Sequence, residues 1–438
     1  MPIQSGRNPG GQAIRSQTKS NLLGAQVDAE LIVVSYDSGV SGYVTSEWLD
    51  DKLHVINVLG LQPTLITRPE SKLETSRKIK VLKPHSLSWK DFSMEMAGGK
   101  LSPPVWPSWF LAQTFGRVFD LMFEKLAGSY SWGKWSWIFM AFPAALFSAI
   151  RNRSRIIFTT GGPSSAHFVG LLVKKCLPKS SLFVELQDPF IGTEMILNSA
   201  SRKVLLYLER VLVRGATKVV FVTETAAERA RARYPEESLK RKIVSIYPGS
   251  WNFQIQRPAK DFNSTSRFTF MHVGSLYTTR NLELFFRALD SLRGSGFELA
   301  KRVQIVNQGD LSVENQNLYL SRGDFKLWPV VGRQEALVKA ASADFLLLVQ
   351  HADSRSEETI PYKTYDYLNL GVPIFGLTNN PELDSLISEN GGFVGSSTDL
   401  DKTIAALRAA LLSMNASTPK GTAKVSIDIN KQFVKIFE

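Results

Sequence analysis

Short runs of branched and aromatic residues alternate with amphipathic runs along almost the whole chain, and the pattern occurs twice. In the first half the apolar runs fall at 31–35, 63–67, 80–84, 156–160, 182–186, 218–222 and 243–247; helical spacing follows several of them, as at 200–214 and 224–233. In the second half they fall at 268–273, 303–306, 327–331, 345–349 and 372–377, again separated by helical runs. Strands that alternate with helices have parallel neighbours, because each crossover helix must return the chain to the same edge of the sheet. The expected fold is therefore α/β, with two Rossmann-like, doubly wound parallel sheets, and 438 residues suffice for a core in each. Expected boundaries are a disordered basic and polar extension at 1–26, a first domain at 27–250, a second at 251–415, and a tail at 416–438 that returns to the first domain as a helix. Residues 248–266 have linker composition.

Composition narrows the chemistry. The single Cys176 rules out an intramolecular disulfide, and the five histidines are scattered without metal-ligand spacing. The lone cysteine fits a reduced, cytoplasmic setting, and the first residues are polar and rich in glycine, unlike a signal peptide or a membrane span. The net charge of +12 is uneven. Residues 1–250 hold 32 Lys and Arg against 20 Asp and Glu, whereas residues 251–438 hold 20 of each. Such a basic half fits a polyanionic partner, or simple solubility.

The most informative stretch is 357–377, EETIPYKTYDYLNLGVPIFGL. Pro361 suits the first position of a helix with Thr359 or Ile360 as its cap, and Gly371 ends that helix after about three turns, ahead of a buried strand. Glu358 then lies in the loop before the helix and Asp366 inside it. A helix start with the ammonium of Lys363 suits an anion such as a diphosphate, and a carboxylate at each end can accept hydrogen bonds from sugar hydroxyls. Lys363 and Glu358 pairing with each other is the bland alternative.

The first half supplies other candidates. A glycine-bearing turn, DSGVSGYV at 37–44, follows the first strand, so Gly39 and Gly42 allow a ligand close to the backbone. The three spaced glycines of a dinucleotide fingerprint are missing, which argues against a nicotinamide cofactor. TTGGPSSAHFVGLL at 159–172 turns into a helix whose first turns carry Ser165 and His167, and Asp188 lies at the end of the next strand. Asp188 either meets a ligand there or caps the following helix; His167 as an ordinary core residue is the simpler reading. Aromatic residues gather at 103–110 and 132–150, followed by Arg151, Arg153 and Arg155. The run at 135–150 is too short to span a bilayer. It reads as a helix packed on the sheet, or as an interfacial contact in which Trp135 and Trp137 meet an anionic membrane surface.

Several motifs in one order resemble the GT-B glycosyltransferases, in particular the retaining family-4-like branch of bacterial polysaccharide and capsule synthesis. HVGSLYTTRNLELFFRAL (272–289) resembles the loop and helix that open the nucleotide-sugar domain. TGGPSSAHFVGLLVKK (160–175) with ELQDPF (185–190) resembles the acceptor-side turn and its Asp-Pro-aromatic motif. VGRQEALVKAASADFLLLVQ (331–350) resembles the segment that flanks the nucleobase, and 358–366 the family's paired glutamates with seven residues between. Asp366 replaces the second glutamate, Ser275 stands where many members have an arginine, and Gln187 precedes Asp188 where relatives often have His or Arg.

The resemblance implies a nucleotide-sugar donor held by Gly274, Ser275, Arg280, Gly332, Arg333, Ile360, Pro361, Tyr362, Lys363 and Asp366. Glu358 would hold the transferred sugar, and Asp188 would orient the acceptor or act as base. Gly39, Gly42, Ser165 and His167 would line the acceptor side. It also implies transfer with retention and without metal or other cofactor, to a glycan or lipid-linked acceptor, with no nucleic acid bound, at most peripherally on the inner face of the membrane. A GT-B-like nucleotide-sugar epimerase and a non-catalytic nucleotide-sugar binder are the competing readings.

Overall fold

The computed structural model describes residues 30–39, 44–73, 75–76, 78–87, 106–127, 134–192, 198–258, 267–314, 316–414 and 427–438. The extension at 1–26, Gly42, residues 103–105 and the tail up to 426 lie outside them. The first sheet has seven strands in the order β3-β2-β1-β4-β5-β6-β7: β1 Leu31–Val34, β2 Pro63–Ile66, β3 Lys80–Leu82, β4 Ile156–Thr160, β5 Ser181–Leu186, β6 Lys218–Phe221 and β7 Ile243–Ser245. Every pairing in it is parallel. The main second sheet runs β12-β10-β8-β13-β14-β15, also all parallel, from β8 Phe268–Val273, β10 Val303–Gln308, β12 Phe325–Trp328, β13 Phe345–Val349, β14 Ile374–Leu377 and β15 Phe393–Gly395. A two-stranded parallel pair, β9 Leu276–Tyr277 and β11 Leu311–Ser312, sits beside it. Strand β12 is displaced toward lower numbers from the apolar run at 327–331, because its register is set by pairing Ile305 with Phe325.

Helices cover both faces, which is why central strands such as β1 (LIVV) and β13 (FLLLV) are buried at every position rather than at alternate ones. In the first domain these are α1 Val44–Val58, α2 Trp106–Ala127, α3 Ile138–Arg151, α4 Ser165–Cys176, α5 Ser199–Gly215 and α6 Glu224–Ala232. The second contributes α7 Glu283–Gly294, α8 Arg333–Ala340, α9 Lys363–Leu370, α10 Pro381–Glu389 and α11 Leu400–Ser413. Helix α4 lies close on the sheet because Gly170 has no side chain; a Cβ there would come within 2.4 Å of the Thr159 methyl. The last helix, α12 Ile429–Phe437, crosses back to the first domain, where Phe433 and Ile436 join the core with Phe158 and Phe183.

In each sheet the strand order reverses once, between β1 and β4 and between β8 and β13. Open α/β sheets bind ligands outside the carboxyl ends of the strands at such a reversal. The segments leaving β1, β4 and β5 in one domain, and β8 and β13 in the other, are therefore where a site belongs.

Candidate active site

The cradle beyond β8 is built around one lysine. His272, the fifth residue of β8, is fully buried, with its Nδ1 2.6 Å from the Asn307 side-chain oxygen on β10. The Asn307 amide nitrogen donates to the Gly309 carbonyl, so its oxygen faces the ring and His272 carries its proton on Nδ1. Nε2 is then an acceptor, and Lys363 Nζ donates to it at 2.9 Å and to the Val273 carbonyl at 2.8 Å. Burial, and next the Lys363 charge, push the His272 imidazole well below its usual range, which keeps it neutral and able to accept.

Glycine is required at the next position. Gly274 has φ +117°, and a Cβ on it would sit 2.9 Å from Lys363 Nζ. Arg280, six residues on, lies over the Tyr277 ring. Burial, and then the nearby Arg280 charge, drive the Lys363 ammonium well below its ordinary value. Among the described residues no carboxylate pairs with Lys363. Two cations that repel each other beside a glycine-opened backbone make a place whose stability rises when an anion arrives.

The helix carrying Lys363 starts later than its sequence suggests. Its cap is Tyr362, which makes no side-chain capping bond, and the preceding turn is closed by Thr364 N donating to the Pro361 carbonyl. Gly371, at φ +64°, ends it after eight residues. The side chains of Ile360 and Tyr362 are buried in the core at the domain junction, where Tyr362 stacks on Trp48 of α1 at 4.8 Å.

Both motif carboxylates are engaged by arginines. Glu358 is buried, and its Oε1 accepts from Arg229 of α6 at 2.7 Å; the other arm of Arg229 reaches Glu357 at 2.8 Å. Thr223 of the first domain also donates to the Glu358 carbonyl. Asp366 accepts from Arg333 at 3.1 and 2.6 Å, and the same guanidinium forks onto Asp51 of α1 at 3.0 and 2.8 Å. Asp51 further accepts from the Tyr362 hydroxyl and from the Trp251 backbone N–H. Burial disfavours the Arg333 charge, but Asp51 and Asp366 outweigh it and hold the guanidinium firmly protonated. Around it, burial lifts Glu47 to about 7 and Asp50 to about 6, with the neighbouring acids adding to the rise. Gly332 is the cap residue ahead of Arg333 and adds no side-chain bond.

On the opposite sheet, Asp188 is exposed, two residues beyond the end of β5. Gln187, Thr160 and Glu185 form a buried chain ending in an ion pair of Glu185 with Lys52 at 3.0 Å. His167 and Ser165 are buried in α4. The His167 ring contacts the Thr159 hydroxyl at 2.9 Å, and burial takes its pKa down to about 3. Gly39, at φ +62°, packs against the backbone of Lys72 and Leu73. Ser275 is exposed. Thus the structure brings Gly274 to Lys363 and each motif acid to an arginine, while Ser165 and His167 lie under the surface. Asp51, Arg229, His272 and Asn307 had escaped sequence reading.

Scanned against protein-family models the chain matches none, and no curated protein is similar to it in sequence. Solved structures are similar in fold. Sucrose-phosphate synthase from Thermosynechococcus elongatus superposes with a TM-score of 0.57 at 13% identity, over 93% of this chain and 94% of that one. An E. coli structure described as trehalose-6-phosphate bound with UDP-2-fluoro glucose gives 0.57 at 10% identity, over 93% and 95%. A glycosyltransferase from Rickettsia africae gives 0.56 at 12%, over 94% of each chain. The fold is accordingly GT-B, with two Rossmann-like domains.

Proposed function

We propose that the chain is a nucleotide-sugar-dependent glycosyltransferase, a relative of the retaining family-4-like enzymes, that moves a sugar to a glycan or lipid-linked acceptor during cell-surface polysaccharide synthesis. The observation that carries this reading is Lys363, pinned by neutral His272 and the Val273 carbonyl against Gly274 with Arg280 nearby. The departing diphosphate gains negative charge as the anomeric C–O bond breaks, and fixed cations stabilise that charge most where water is excluded. These two side chains supply the positive charge, so transfer is proposed to need no metal.

Glu358 would hold sugar hydroxyls and Asp366 the ribose, each exchanging its arginine for the ligand when the domains part. Asp188, exposed beyond the carboxyl end of β5, would orient the acceptor hydroxyl. That oxygen bonds to the anomeric carbon on the face the diphosphate leaves, and its proton passes to the departing phosphate oxygen, giving retention. The work would be done in the cytoplasm, at the inner face of the membrane. A second reading, a nucleotide-sugar binder without turnover, is favoured by the arginine pairing of both motif acids.

The test is donor hydrolysis and transfer with a panel of nucleotide sugars, together with calorimetry of the free nucleoside diphosphates. Hydrolysis of one donor, unaffected by EDTA, is expected. Tight binding with no hydrolysis or transfer on any donor would leave the binder, and absence of any nucleoside diphosphate binding would remove both.

A further inference from the structure

Helices α2 and α3 carry an apolar face that the core does not use. On α3, Phe139, Met140, Phe147 and Ile150 are exposed, Phe147 by 66%. With exposed Pro143, positions 139, 143, 147 and 150 form one helical stripe. On α2, Phe115, Val118, Met122 and Leu126 form a second, with Val118 exposed by 62%. The stripes join where Phe139 meets Phe115 at 5.4 Å and Phe119 at 5.0 Å between ring centres. Single exposed apolar residues are ordinary, but a continuous two-helix face marks a contact.

Its charges are of one sign. The exposed charged residues described on α2, on α3 and in the turn after α3 are Arg117, Lys125, Arg151, Arg153 and Arg155. The acids nearby turn inward: Asp120 is buried and accepts from the Ser136 N–H and hydroxyl, and Glu124 is half-buried. No helix among the described residues is long and apolar enough to cross a membrane. An apolar face with cations and no exposed acid suits a surface that is itself apolar beneath and anionic at its edge. Of the two readings of Trp135 and Trp137, packing on the sheet is the one observed: both are buried, Trp137 against Tyr36, and neither reaches such a surface.

We propose that the α2–α3 face seats the protein on an anionic lipid surface, with the apolar stripe in the headgroup boundary and the arginines against lipid phosphates. This deepens the membrane part of the function proposed above. Helix α3 leads straight into β4, so it runs antiparallel to the strands, and its first turn lies at the carboxyl edge of the sheet that also bears Asp188. A lipid-linked acceptor would emerge beside the edge where it is needed.

Co-sedimentation of the full chain with vesicles, with no donor or acceptor present, tests this separately from catalysis. Binding is expected to equimolar phosphatidylcholine and phosphatidylglycerol at low salt, to weaken as salt rises, and to be slight on phosphatidylcholine alone. Replacing Phe147 and Ile150 together by Ser should cut partition roughly tenfold or more. Each of Arg151→Gln and Arg155→Gln should cut it about fivefold. Leu318→Ser, at an exposed apolar residue of the other domain, should change nothing. Thermal melts of these surface variants should match the parent. Failure of the folded chain to bind anionic vesicles, or binding indifferent to the α3 changes, would overturn the proposal. So would a dimer seen by light scattering and dissolved by Phe147→Ser, since a second copy would then cover the face. Vesicle binding without hydrolysis of any donor would keep the docking surface and sink the transferase.

Discussion

Lys363 depends on a partner that must stay neutral. A protonated His272 would face the ammonium with a second charge, whereas the Asn307 bond holds the proton on the far nitrogen. Lys363→Met is therefore expected to weaken nucleoside diphosphate binding by about 1.5–3 kcal/mol, the range of a charged hydrogen bond. His272→Leu should lose part of that affinity while His272→Gln, which can still accept, keeps most of it; calorimetry reads both. Equal affinity in parent and folded Lys363→Met would remove the lysine from the site. Lys363 and the two acids stood out in the sequence because a helix start and a fixed spacing are local, whereas Gly274 and Arg280 were singled out only through the family resemblance. His272 was not, since a lone histidine in an apolar strand looks like core until Asn307 and Lys363 are seen on its two nitrogens. Arg229 and Asp51 lie 129 and 282 positions from the residues they bind, a separation at which no spacing rule operates.

At the scale of elements, the buried strands announced themselves as apolar runs and the doubly wound order followed from their alternation with helices. Two features did not. Strand β15 is only three residues, FVG, too short for a pattern. Helix α2 turns Phe115, Val118, Leu121, Met122 and Leu126 outward, so residues 114–126 show no clean division of apolar-inside and polar-outside faces. The contact of α4 with the sheet was hidden as well, because a helical glycine reads as a weak point rather than a close approach. Gly170→Ala would bring a methyl to within 2.4 Å of Thr159 and 3.0 Å of Leu182. The substitution is expected to cost about 1–3 kcal/mol despite alanine's better helix propensity. Chemical denaturation of the two proteins measures it, and a neutral or stabilising result would mean that α4 shifts freely.

Over the whole molecule, the domains are held at their junction by a charged cluster with a pH dependence of its own. Glu47, facing Arg333, Asp366, Asp51 and Asp50, has its pKa raised from 4.5 to about 7. Such an acid binds its proton more tightly folded than unfolded. Its contribution is fully present below pH 4.5 and is lost as pH rises through 7. Glu47→Gln should therefore be indistinguishable from the parent near pH 4 and more stable by about 1–3 kcal/mol at pH 8. Parallel stability profiles across that window would contradict the assignment.

The return of α12 to the first domain has a consequence for how the protein is made. Phe433 and Ile436 complete a core otherwise contributed by residues translated hundreds of codons earlier. While the ribosome is still building the second sheet, Phe158 and Phe183 lack the side chains that will cover them, so the packing of the first domain seen here is complete only once α12 has been made.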